Sequence, residues 1–408
     1  MFTFLLGLSL ALDVPVDAPE DSATLASALV DNGLVDDGAS MYRRLIAKNP
    51  HGPEAATLQN GIVVALREAG RLDDTLDAIE VQLSDFGPHS GWAYANAASP
   101  DTVKQAHGYV EENLRSLAVE YEDKAETLDG EQATAALEVA YRAYHLYLER
   151  FPEGPAAFDF SEALADLLLR MGRHVEAYER YEAALDLAPG SVDRGRCLDG
   201  RLGAAKAAMD VAREVGMPEP PADWTMEVPP TEEHRMMAVA LSGVVDGHPD
   251  PVAANDARYE LGFLLHELRR YDKAVDTLMK AIRVDPESRN GPVAAGLVFE
   301  VRVLQQAWTI LEYESLELYE LEGFGNASYK KGLLAAHHRA VLHGLDARLE
   351  GKEQAKAAKK WLRKNPETDE AALALHVQAL GWTGAGKPEK AEKVRAELKE
   401  RFPKSTYL

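Results

Sequence analysis

A spaced pattern of small, large and proline residues recurs along this chain, and it limits the available folds more than any other feature. In the stretch ending at Pro286, Leu261-Gly262 is followed by Leu265, Tyr271, Ala274, Leu278 and Ala281. The stretch ending at Pro189 carries Leu164-Ala165, Leu168, Ala177, Tyr181 and Ala184 at the same offsets, with Gly172 between its halves. A third stretch ends at Pro50 and contains Gly33, Tyr42 and Leu45. The next begins near Ala55 and contains Gly70, Leu72 and Ile79.

Each stretch reads as two helices joined by a turn. A small residue, Ala177 or Ala274, lets the second helix approach the first, and Tyr181 or Leu278 fills the space beside it. Ala184 or Ala281 admits the next unit. Pro189 and Pro286 end the second helix, having no N–H to continue its hydrogen bonding. Gly33 and Gly172 stand in the turn, where a positive φ carries no steric penalty. A single hairpin buries only part of its apolar face, so such units are stable when stacked. The expected fold is an all-α, right-handed superhelical α-solenoid of helix hairpins.

Elsewhere the period loosens. Phe86 to Asp101 holds Gly87-Pro88, Gly91-Trp92 and Ser99-Pro100 and reads as a loop. A long helix is expected after it, with Tyr109, Val110, Leu114, Leu117 and Tyr121 on one face. Tyr141, Tyr144 and Tyr147 recur at three-residue spacing, a stripe that reads as core rather than as a ligand platform. Gly216 to Thr231 contains Pro218, Pro220, Pro221, Pro229 and Pro230, the strongest linker signal in the chain. The expected organisation is an N-terminal array over 19–215, a Pro-rich linker over 216–231 and a C-terminal array over 232–408. From Val293 to Leu349 helices are expected without a clean repeat.

Phe2 to Leu12 is mostly apolar, the length of a signal-peptide core and too short to span a bilayer. Small-residue patterns follow at Ser9-Leu10-Ala11 and Val16-Asp17-Ala18. Residues 1–18 are therefore expected to be a signal peptide, and the mature chain to be exported to the periplasm. The other reading of this run is an apolar first helical turn in a cytoplasmic protein. No cysteine follows it to carry a lipid anchor, and no integral membrane segment is expected.

Composition narrows the partners. The 408 residues hold 67 Asp and Glu against 44 Lys and Arg, a formal charge of −23. Nucleic-acid affinity comes from cations neutralising phosphates, so no nucleic acid is expected as a partner. An anionic membrane surface is disfavoured for the same reason. The charge is uneven: residues 351–408 carry 13 Lys and Arg against 8 Asp and Glu. Lys356, Lys359, Lys360, Arg363 and Lys364 form its densest run. That run reads as a solvated helix face, or as a docking end for an acidic partner or the acidic body of another copy.

The search for chemistry assigns no catalytic, cofactor or metal residue. Cys197 is the sole cysteine, so an internal disulfide and a Cys-based zinc site are excluded. Arg194, Arg196 and Arg201 flank it, yet a buried structural thiol is the simpler reading than a nucleophile. His337, His338 and His343 are the densest histidines, but His337 and His338 point about 100° apart on a helix. His174 reads as a packing residue. Gly323-Phe324-Gly325 lacks the continuation of a phosphate loop. Asn326-Ala327-Ser328 has the glycosylation pattern. Trp92 and Trp224 fall in predicted loops, where an aromatic either plugs a junction or offers a binding anchor.

The units ending at Pro189 and Pro286 resemble tetratricopeptide repeats, helix–turn–helix units of about 34 residues. Glu149-Arg150-Phe151-Pro152 and Arg401-Phe402-Pro403-Lys404-Ser405 are similar to the Phe-Pro-x-Ser repeat endings of bacterial envelope tetratricopeptide proteins. More loosely, Trp92 to Asn96, Tyr141 to Pro152, the Pro-rich break before Glu232 and Trp308 resemble gliding-motility-associated members from myxobacteria. The resemblance implies a non-catalytic protein–protein interaction scaffold that assembles or links a cell-envelope complex. It also implies a protein or peptide partner lying in a concave groove. The alternatives are an enzyme with an unrecognised site between the two halves, or a cytoplasmic adaptor.

Overall fold

The computed structural model describes residues 19–87 and 89–408. The signal-peptide reading of residues 1–18 lies outside the described residues. Among those described there are nineteen helices and no strand, an all-α solenoid. Contacts group the chain into two compact units that divide at Pro189–Gly190.

The first unit holds α1 (Pro19–Asp31), α2 (Val35–Lys48), α3 (Ala55–Glu68), α4 (Leu72–Phe86) and the one-turn α5 (Gly91–Ala95). It continues with α6 (Pro100–Thr127), α7 (Gly130–Arg150), α8 (Ala157–Arg170) and α9 (His174–Leu187). The second unit begins with α10 (Ser191–Val215), α11 (Glu232–Gly247), α12 (Pro251–Glu267), α13 (Tyr271–Val284) and α14 (Gly291–Leu304). It ends with α15 (Trp308–Glu320), α16 (Ala327–Arg348), α17 (Gly351–Lys364), α18 (Ala371–Gly384) and α19 (Pro388–Arg401). Within each unit, helices consecutive in sequence pack on one another as stacked hairpins, except that α6 packs on α4 and α3 past the short α5.

The sequence pattern explains the packing. Pro50, Pro189 and Pro286 each follow their helix by two residues. Ala177, Ala184, Ala274, Ala281 and Leu278 are wholly buried, and Tyr181 nearly so. At Gly262 a Cβ would stand 2.4 Å from Cδ2 of Leu278, so this residue sets the approach of α12 to α13. Tyr144 and Tyr147 are core, as their spacing suggests, with Tyr147 stacked 4.0 Å from Phe160. Val110, Leu114 and Leu117 are the buried face of the long α6.

One turn recurs between paired helices. In α1–α2, α3–α4, α8–α9 and α18–α19 a glycine (Gly33, Gly70, Gly172, Gly386) takes a positive φ. The following amide then reaches back to the helix, as in Arg173 N to Leu168 O at 2.9 Å, which closes a Schellman motif. The α12–α13 and α14–α15 turns make the same bonds around Arg269 (φ 54°) and Gln306 (φ 52°). Arg269 stands where the equivalent turn of α8–α9 has Gly172.

One expectation meets a different structure. The stretch from Phe86 to Asp101 is not all loop: Ser90 caps α5 by accepting from Ala93 N at 3.1 Å, and α6 begins at Pro100. The second compact unit begins at Gly190. Helix α10 packs on α11, so the Pro-rich stretch 216–231 lies inside the second unit. Between Val293 and Leu349 the pairing shifts, with α15 packing mainly on α16. There α14 and α15 are tied by Arg302 and Glu314, two nearly buried side chains joined through Nη2 and Oε1 at 2.7 Å.

Candidate interaction site

Trp92 and Trp224 give the same signal in sequence and meet opposite fates. Trp92 is 1% exposed, meets Phe86 edge-on and donates Nε1 to Gly52 O at 2.6 Å. It plugs the junction of α3, α4 and α6. Trp224 is 45% exposed, and Met226 beside it is 56% exposed. Both stand on the Pro-rich stretch, which is held from below rather than left as a free tether.

The clasp is built by the α12–α13 turn. Nη1 of Arg269 donates to Pro221 O at 2.9 Å and Asp223 O at 2.7 Å, with Met226 O at 3.4 Å. The Tyr271 hydroxyl donates to Trp224 O at 3.3 Å, and Val228 N to Leu268 O at 3.1 Å. Arg270 pairs with Glu227 at 3.5 Å. Within the loop, Asp223 accepts from the Thr225 hydroxyl and amide at 2.7 and 2.9 Å. Those bonds hold its carboxyl below the usual carboxylate range. Thr231 ends the stretch by capping α11 in a reciprocal pair with His234.

A left-handed arginine is strained where glycine is not. The strain is offset here by the carbonyls that the guanidinium gathers. A loop so held loses little conformational freedom on binding, which favours affinity. An exposed Trp and Met on such a loop make an apolar anchor, the residue class that dominates interface energies. Glu219, Asp223 and Glu227 stand on the same stretch, and all three are exposed. Proline content alone signals a linker. The sequence signal that marks the clasp is an arginine where other repeats have glycine.

The remaining candidates are structural in their surroundings. Cys197 is buried on α10. His337 bonds Glu312 O through Nδ1 at 3.0 Å, while His338 lies 3.7 Å from Glu370 and edge-on to Trp361. His343 stacks on Trp308 at 4.6 Å. The three side chains thus turn toward different neighbours, and among the described residues no group of three or more His, Cys, Asp or Glu gathers as metal ligands. His174 is the first residue of α9 and half-buried. Gly323 and Gly325 both take positive φ around Phe324, which is wholly buried, so this turn lodges an aromatic plug. Asn326 accepts from Tyr329 N at 2.9 Å and caps α16. No helix among the described residues is long and apolar enough to cross a membrane.

Open cavities lie on the arrays among the described residues. One, of about 440 Å³, is lined by residues of α2, α3 and α4; another, of about 460 Å³, lies between Phe299 of α14 and the first turns of α16. The first is lined by Arg43, Asp74, Asp77 and Asp85 among others, whereas the lining of the second carries no charged side chain.

Helix hairpins stacked in this way define an interaction-module class of fold. Within that class, residues 24–88 and residues 256–288 match models described as tetratricopeptide repeat. These segments cover most of the α1–α4 pairs and of the α12–α13 pair. No curated protein matches the chain. Among solved structures, the tetratricopeptide domain of P58(IPK) is 11% identical, with 95% of this chain and 94% of that one covered and a TM-score of 0.25. Yeast Tom70 is 15% identical, with 94% and 85% covered and a TM-score of 0.22. At such scores the likeness carries nothing about what this chain binds.

Proposed function

We propose that this protein is a non-catalytic scaffold which holds protein partners, with the clasped loop 216–231 as one of its contact points. The observation that carries the reading is the exposed Trp224–Met226 pair on a stretch fixed by Arg269. The anchor is apolar and exposed Glu219 and Asp223 share its stretch, so the segment it suits is apolar with basic flanks. Further segments of a protein or peptide partner would lie in the grooves between stacked helices, the surface that repeat arrays offer.

The setting we propose is a bacterial cell-envelope complex in the periplasm. It is supported by the apolar run Phe2–Leu12 with its small-residue patterns, and by the Phe402-Pro403-Lys404-Ser405 ending. N-terminal sequencing of the protein isolated from its own cells tests the export step. A start after Ala11 or Ala18 supports it, and retention of Met1 with a cytoplasmic location removes it.

The scaffold reading is tested with a photo-crosslinking residue at Ala222. The control carries the same probe at Lys280 on the exposed side of α13. The expected result is a discrete protein adduct from position 222 that weakens at least tenfold with Trp224→Ala. An adduct pattern identical at both positions, or indifferent to Trp224, would overturn the reading.

A further inference from the structure

Helix α17 carries Lys352, Lys356, Lys359, Lys360, Arg363 and Lys364, all exposed, with Glu353 as its single acid. None of the six cations forms an ion pair among the described residues. Lys352, Lys356, Lys359 and Arg363 stand at helical offsets that place them within about 60° on one side, along about 16 Å of axis. Elsewhere exposed arginines commonly find a carboxylate, as Arg213 does in Glu267 and Arg283 in Glu317. This helix face is left as an uncompensated positive strip.

The same register recurs with the opposite sign on α4. Asp73, Asp77 and Glu80 repeat the offsets of Lys352, Lys356 and Lys359, all three are exposed, and none has a cation partner among the described residues. Asp74 is held by Arg71, and Asp85 by the Ser84 hydroxyl. The α4 sequence contains no Lys, Arg or His. Beside this strip lies the cavity of about 440 Å³, where Ile46 and half-exposed Val81 supply apolar surface and Arg43 is the one lining cation.

We infer that the α17 face of one copy docks on the α4 face of a second copy, so that the protein associates head to tail through complementary charge. The two faces are different patches, so the contact is heterologous. Its repetition gives a ring or an open chain of scaffolds, not a two-fold dimer. Lys352, Lys356 and Lys359 on one strip and Asp73, Asp77 and Glu80 on the other, at matched spacing, place opposite charges opposite one another over about 10 Å of axis. Each strip is also repelled by its own kind, which sets the polarity. This inference does not depend on the loop at Trp224 and stands or falls separately from it.

Sedimentation velocity of the full chain over a range of concentrations tests it. At low ionic strength the weight-average sedimentation coefficient is expected to rise with concentration. The rise should vanish at about 1 M salt, where the screening length is about 3 Å. A variant with Lys356→Glu, Lys359→Glu and Arg363→Glu, and another with Asp73→Lys, Asp77→Lys and Glu80→Lys, should each remain monomeric. Their equimolar mixture should associate again, because each then meets its opposite. All substituted side chains are exposed, and unchanged helical circular dichroism establishes that both variants fold. A chain that stays monomeric at low salt overturns the inference. So does association that survives both triple variants. Binding of anionic vesicles or nucleic acid through α17, without self-association, also overturns it.

Discussion

At Gly262 the absence of a side chain decides how closely two helices meet. A Cβ there would fall 2.4 Å from Cδ2 of Leu278, and Leu278 is enclosed on all sides. Gly262→Ala is expected to cost about 1–3 kcal/mol through overpacking. Gly296, in the middle of α14, meets nothing within 4 Å, so Gly296→Ala should stabilise by about 0.5–1 kcal/mol through helix propensity. Urea midpoints of the two variants should move in opposite directions; a shared direction would refute the packing account. Four histidines act at the same scale. Burial pushes His107, His234, His338 and His343 below the ordinary value of 6.5. The folded form then binds fewer protons than the unfolded form, so their contribution is fully present above that value and lost as pH falls through the depressed values. Denaturant stability should therefore drop on acidification from pH about 7.5 to about 5.5. Histidine resonances titrating together near the ordinary value would remove this contribution.

Among the helices and their connections, one turn is used repeatedly and its exceptions are informative. Four hairpins place glycine at the left-handed position, while α12–α13 places Arg269 there. Arg269→Gly should relax the turn itself while freeing the carbonyls of Pro221 and Asp223. Limited proteolysis should then cut between residues 216 and 231 several-fold faster, with the thermal midpoint unchanged or raised. Slower or unaltered cleavage would mean that the clasp does not order the loop. Read from sequence, five prolines in 216–231 resemble a linker, because composition reports backbone restriction and not attachment. The atom that holds the stretch lies 48 residues beyond Pro221, a separation that no local pattern carries. The hairpins were legible for the opposite reason. Ala177, Tyr181, Ala184 and Pro189 act on neighbours within the same two helices, so their spacing alone records the contact.

Over the whole molecule, the charge of −23 conceals two helices of opposite sign. A net value describes solubility, whereas the strips on α4 and α17 describe an association with direction and salt dependence. The cation run on α17 was visible in the sequence, as was the option that it meets another copy. Its matching in register to α4 became visible only when both helices were seen to turn those residues outward. What the sequence determined by itself is the all-α array of hairpins, because helix pairing depends on residue size at short, fixed offsets. The tertiary structure decided which residues of similar type serve packing and which face outward. Trp92 found Gly52 O and Phe86 and became core, whereas Trp224 was lifted to the surface by the guanidinium of Arg269. Burial is a property of what lies opposite a side chain, and only folding brings those partners together.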